Sequence, residues 1–150
     1  MNAEPSNADV RTRNAEEQGV RLRPRDLRER TQQFALDVIR LVDCLPRSRA
    51  GEALGKQLLR SGTSVAANYR AARRARSRKE VIAKLGIVEE EADESEFWLE
   101  MLLKAGVGDP EVSSALAAEA HQLVAIIIAS IRTARGASRY VPRSALRVPR

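Results

Sequence analysis

One heptad constrains this chain more than any other feature. Val81, Leu85, Val88, Ala92, Ser95, Leu99 and Leu102 recur at alternating spacings of four and three. On an α-helix those positions form one stripe, whereas a strand would scatter them over both faces. A single stripe of this length is stable only against other helices. Ser77 and Glu80 form an S-x-x-E capping box ahead of it, and Gly106 is a natural stop behind it.

The remaining sequence supplies the partner helices. Phe34, Val38, Leu41 and Leu45 repeat the rhythm between Asp26, a capping residue, and Pro46, a helix breaker. Leu54, Leu58, Ser61, Val65, Asn68 and Ala72 repeat it again, which predicts a helix over Gly51 to Ala75. After the GVGDP turn, Asp109 caps and Pro110 opens a fourth helix ending at Gly136. Its apolar face is expected to hold Val112, Leu116, Leu123, Ile126, Ile127 and Ile131. Aromatic residues are only 3% of the chain and no stretch alternates apolar with polar residues, so the fold is expected to be all-α.

Short connections make successive helices antiparallel. The expected architecture is an up-down-up-down antiparallel four-helix bundle over residues 25–136. A flexible N-terminal arm, residues 1–24, and a flexible basic tail, residues 137–150, are expected to flank it. Polar residues interrupt the apolar stripes at Ser61, Asn68 and Ser95, a pattern expected of register-setting contacts. Gly62 and Ala66 beside that seam are small enough to admit a neighbouring backbone.

This topology makes the charges legible. The formal net charge is +6 and the pI about 10.2. The start of helix one, the end of helix two, the start of helix three and the end of helix four share one pole. Arg21, Arg23, Arg25, Arg28, Arg30, Arg70, Arg73, Arg74, Arg76, Arg78, Lys79, Arg132, Arg135, Arg139, Arg143, Arg147 and Arg150 gather there, diluted by Asp26, Glu29 and Glu80. The expected binding residues among them are Arg28, Arg70, Arg73, Arg74, Arg76, Arg78, Lys79, Arg135 and Arg139. Glu89, Glu90, Glu91, Asp93, Glu94, Glu96 and Glu100 run along the middle and far half of helix three. A basic pole of this density attracts RNA or DNA. Alternatively, its arginines are solvated helix ends, or pair with the acids of a neighbouring subunit. The i, i+3, i+4 grouping of Arg70, Arg73 and Arg74 favours the first reading. Stacking side chains near the pole are limited to Tyr69 and Tyr140.

Catalytic constellations are missing. The chain has a single histidine, His121, and the residue three before it is Ala118, so the Glu-x-x-His pairs of a di-iron bundle are absent. One cysteine and one histidine make no zinc set. No glycine-rich phosphate loop follows a strand. The sequence therefore predicts a protein that is not an enzyme, with no catalytic residue, cofactor or metal. Lone Cys44 excludes an internal disulfide, fits a reducing compartment and is expected as a packed core thiol. Trp98 is expected to anchor the core or a subunit interface, and His121 to be a partly exposed structural residue. The N-terminus lacks an apolar signal region, and the longest apolar run, Leu123 to Ile131, is short of a membrane span. A soluble cytoplasmic protein without a membrane partner is expected.

Three segments carry a resemblance. SGTSVAANYRAA, then S-x-x-E-x-I-x-K-L, then EEADESEFWLEMLL resemble the four-helix bundle protein family over Leu27 to Arg135. That family includes proteins encoded in intervening sequences of bacterial 23S ribosomal RNA, and the accessory variability proteins of diversity-generating retroelements are similar. The resemblance implies an up-and-down bundle that assembles into a ring-like homopentamer. The retroelement members are basic and bind nucleic acid and a reverse transcriptase. Ala71 stands where family members often carry an acid.

Overall fold

Proline at the first helical position loses no hydrogen bond and brings its φ already set. The first helix accordingly starts at Pro24, two residues before the expected cap Asp26. The computed structural model describes residues 24–136, and side chains from Leu27 onward. Both arms, and with them Arg139 and Tyr140, lie outside the described residues. Four helices fill the described chain: α1 (Pro24–Asp43), α2 (Arg49–Arg73), α3 (Arg78–Ala105) and α4 (Pro110–Gly136).

Local chemistry sets the remaining boundaries. α1 ends at Asp43 rather than Leu45, because a residue preceding proline is pushed out of helical geometry. α2 begins at Arg49, since Ser48 caps it by accepting a hydrogen bond from the Gly51 amide at 3.0 Å. Ser77 caps α3 through the Glu80 amide at 3.1 Å. The Glu80 carboxylate returns not to Ser77 but to the Arg76 amide, at 2.9 Å. Gly106 ends α3 in the left-handed region, with φ of 65°. There its amide reaches Leu103 O and the Val107 amide reaches Leu102 O, which satisfies two terminal carbonyls. The Asp109 carboxylate caps α4 by accepting from the Glu111 amide at 2.9 Å.

Each helix packs on its neighbours in the order α1, α2, α3, α4 and back to α1, and no helix packs on its diagonal opposite. A Cβ at Gly62 would meet Val38, while one at Gly55 would meet Val42 and Leu45. Numbers fall along α2 as they rise along α1, so the two run antiparallel. Ser61 opposite Ser95 and Glu96 opposite His121 establish the same for the next two pairs. The heptad of α3 is buried from Leu85 to Leu102, with Val81 half-buried at the helix start. Phe34, Val38, Leu58, Val65, Leu99, Leu123 and Ile127 complete the centre of the core.

Three sequence-based placements change. In α2 the buried stripe passes through Tyr69, leaving Asn68 half-buried with its amide bonded to the Ser64 carbonyl of its own helix at 3.0 Å. A helix of 3.6 residues per turn drifts off a strict heptad, and the stripe here is wide enough to absorb the drift. In α4 the buried positions are Ser113, Leu116, Ala120, Leu123, Ile127 and Ile131. Val112 lies one residue off that phase and is 42% exposed, and Ile126 is half-buried. Cys44 is exposed rather than packed, because α1 ends one residue before it and the turn carries it out of the stripe. By length and composition α4 could cross a membrane, but here its apolar stripe packs inside the bundle.

Candidate nucleic-acid interface

Cationic side chains are favoured in the last turn of a helix, where unpaired carbonyls concentrate negative charge. α2 ends in that way, with Arg70 and Arg73 in its last turn and Arg74 at its cap. Antiparallel packing lays the start of α1 beside the end of α2. Arg28 and Gln32 of α1 thus face Arg70, Arg73 and Arg74 across a cleft of about 410 Å³. The same rule brings the start of α3 to the end of α4, where Arg78, Lys79, Ile82 and Arg135 line a second cleft of about 310 Å³. Arg76 is exposed on the turn between α2 and α3.

The structure therefore brings eight of the nine expected binding cations to one pole but divides them between two clefts and a turn. The ninth, Arg139, lies outside the described residues. Gln32 is an addition to the residues expected from the sequence. Its signal was present, since it sits one turn from Arg28 on the same helix face.

Three arginines outside the two clefts are paired with acids. Arg30 grips Glu119 with two hydrogen bonds of 3.0 Å and reaches Gln122, tying α1 to α4. Arg60 clasps Glu94 and approaches Glu91 at 3.5 Å, tying α2 to α3. Arg40 pairs with Asp37 at 2.8 Å. Among the described residues, none of Arg28, Arg70, Arg73, Arg74, Arg76, Arg78, Lys79 or Arg135 makes an ion pair. The nearby Glu80 carboxylate is bonded to a backbone amide.

Tyr69 belongs to the core beneath the pole. Burial pushes its phenol above the ordinary tyrosine range, and the neighbouring Arg73 charge opposes the shift. The exposed ring of Phe97 and the half-buried ring of Trp98 meet edge to face at 4.9 Å, in the far half of α3. Trp98 packs against the core and donates its indole N–H to Glu94 at 3.0 Å.

The polar seam resolves into one contact. Ser61 and Ser95, both fully buried, place their hydroxyls 2.9 Å apart between α2 and α3. Ser95 also bonds the Glu91 carbonyl at 2.7 Å, and Ser61 reaches the Leu58 carbonyl at 3.3 Å. Asn68 takes no part. His121 is largely exposed, with Nδ1 3.0 Å from Glu96. Among the described residues, no three His, Cys, Asp or Glu side chains are grouped to hold a metal ion.

The sequence model of the 23S rRNA-intervening sequence protein family matches residues 25–129. The chain belongs to this family. A solved structure from Bacteroides thetaiotaomicron VPI-5482 has the same fold; it is a protein with unknown function from the S23 ribosomal protein family. The two are 32% identical with a TM-score of 0.65, over 70% of this chain and 97% of that one. No curated protein matches the chain. The family match includes the whole α1–α2 cleft and reaches Arg78 and Lys79 of the second, stopping short of Arg135.

Proposed function

We propose that this family member is a non-enzymatic, homo-oligomeric bundle that binds nucleic acid through its basic pole. One observation carries the reading: Arg30, Arg40 and Arg60 are paired with acids, while among the described residues the cations lining the two clefts of the pole make no ion pair. Cations grouped without acids raise self-repulsion, which opposes what each gains from a helix C-terminus. Phosphates relieve that repulsion and release their own counterions. Fluorescence anisotropy with RNA and DNA across a salt series tests it. Binding should weaken by orders of magnitude between about 50 and about 200 mM salt if six or more phosphates are contacted. Changing Arg70, Arg73 and Arg74 together to Ala should weaken it further and flatten the salt slope by about 2–3. No binding at low salt, or an unaltered triple variant, refutes the reading.

A second reading rests on exposed apolar side chains. Leu36, Ile39, Leu59, Phe97 and Val112 are surface residues of the single chain, which suits subunit or partner contacts. On this reading the protein is a structural or adaptor ring, of five subunits if it follows the resemblance. Light scattering at low and high salt tests it: a monomer under both conditions refutes the ring. On the first reading, a reverse transcriptase partner would be sought by co-purification.

A further inference from the structure

We infer that the pole takes double-stranded nucleic acid by its phosphates alone, with a cleft on each of two phosphate rows. This inference rests on the nucleic-acid reading above and narrows its ligand. Two observations carry it.

The first is the placement of the clefts. Because the helices pack in a ring, the α1–α2 and α3–α4 seams lie on opposite faces of the bundle, and each opens a basic cleft at the same end. Helix axes about 8–10 Å apart, with helices about 10–12 Å thick, put the two outer seams roughly 20 Å apart. That span straddles a B-form major groove about 12 Å wide, leaving one cleft over each bordering phosphate row. A single strand offers one row and must bend from one cleft to the other, whereas a duplex presents both rows at a fixed separation.

The second is the lining. Strand binders without sequence preference add aromatic platforms to their cations, at about 1–3 kcal/mol per stacked base. Among the described residues the pole has none: Tyr69 is buried in the core, Phe34 is buried, and Phe97 and Trp98 lie in the far half of α3. The side chains present are guanidinium groups, one ammonium, an amide and the aliphatic Ile82. Such a surface gains most from the ligand with the densest phosphates, and a duplex carries one charge per ~1.7 Å of axis.

The test compares one oligonucleotide of about two helical turns as duplex DNA, duplex RNA and each single strand, with a scrambled-sequence duplex beside them. Duplex DNA should bind about tenfold or more tighter than its separate strands and tighter than duplex RNA, whose A-form major groove is deep and narrow, and scrambling should change affinity by less than about threefold. R28A with R70A, and separately R78A with K79A, should each lower the salt slope of duplex binding by about 2. Y140A should leave duplex and strand affinities unchanged. Strands that bind as tightly as the duplex, a strong sequence dependence, or a duplex slope insensitive to one cleft overturns the inference while leaving the nucleic-acid reading standing. Failure of every oligonucleotide to bind at low salt overturns both.

Discussion

Changing Gly62 to alanine should destabilise the bundle, although alanine is the better helix former. In an open helix position this change is worth about 1 kcal/mol in favour of folding. At Gly62 the added Cβ would lie 2.8 and 2.9 Å from the two Cγ atoms of Val38. Carbon atoms rest at about 3.5–4.0 Å, so the helices must part by several tenths of an ångström or Val38 must turn. Turning is the harder route, since a valine in a helix keeps one χ1 rotamer about 90% of the time and Val38 is fully buried. Overpacking of this kind costs about 1–3 kcal/mol. The net expectation is a loss of about 1 kcal/mol, measured by urea unfolding at matched protein concentration. Gly86 is the internal control, because a Cβ there meets nothing within 4 Å. Gly86→Ala should gain about 0.5–1 kcal/mol, so the two identical substitutions differ in sign. Val38→Ala should cost less in the Gly62→Ala background than in wild type, with a coupling of about 1 kcal/mol. A Gly62→Ala protein as stable as wild type, or no coupling to Val38, would refute the close-approach argument.

The Ser61–Ser95 contact and the Arg60–Glu94 clasp give two further expectations. Ser95→Ala strands the buried Ser61 hydroxyl with only its long contact to Leu58, at a cost of about 1–2 kcal/mol. The double change to alanine should cost clearly less than the sum of the single changes, and a double-mutant cycle that is additive within error counts against a shared bond. Hydrogen bonding by Arg60, then by the Trp98 indole, holds the Glu94 carboxyl below the ordinary glutamate range. A carboxyl depressed in the folded state adds stability above its unfolded pKa and loses it as pH falls through the folded value. Wild type should therefore exceed Glu94→Gln in urea midpoint at neutral pH, and the gap should close as pH falls below the ordinary glutamate range. A gap that stays constant with pH contradicts the assignment.

Periodicity and capping chemistry made most of the fold legible. The heptad of α3, its Ser77 cap and its Gly106 stop are local signals, each satisfied within a turn or two of helix, and the structure keeps them. Errors arose where a stripe had to be phased. Val112 and Asn68 were assigned by rhythm, yet which of two adjacent residues turns inward depends on the whole helix docking on its neighbours. Ser113 and Tyr69 won those places. Cys44 was misplaced for a related reason, since Pro46 unwinds the chain two residues earlier than the apolar pattern implied.

The sequence by itself determined four helices and the gathering of basic residues at one end, because both follow from interactions within a helix and from the shortness of the turns. Only the tertiary structure decided how those basic residues are divided and which remain without acids. Arg30, Arg60 and Arg70 are alike as residues in a row of letters. Packing puts Glu119 beside the first and Glu94 beside the second, and at the third it leaves an open cleft. A charge is paired or free according to what a distant segment places within about 4 Å of it, and that distance is set by the docking of whole helices.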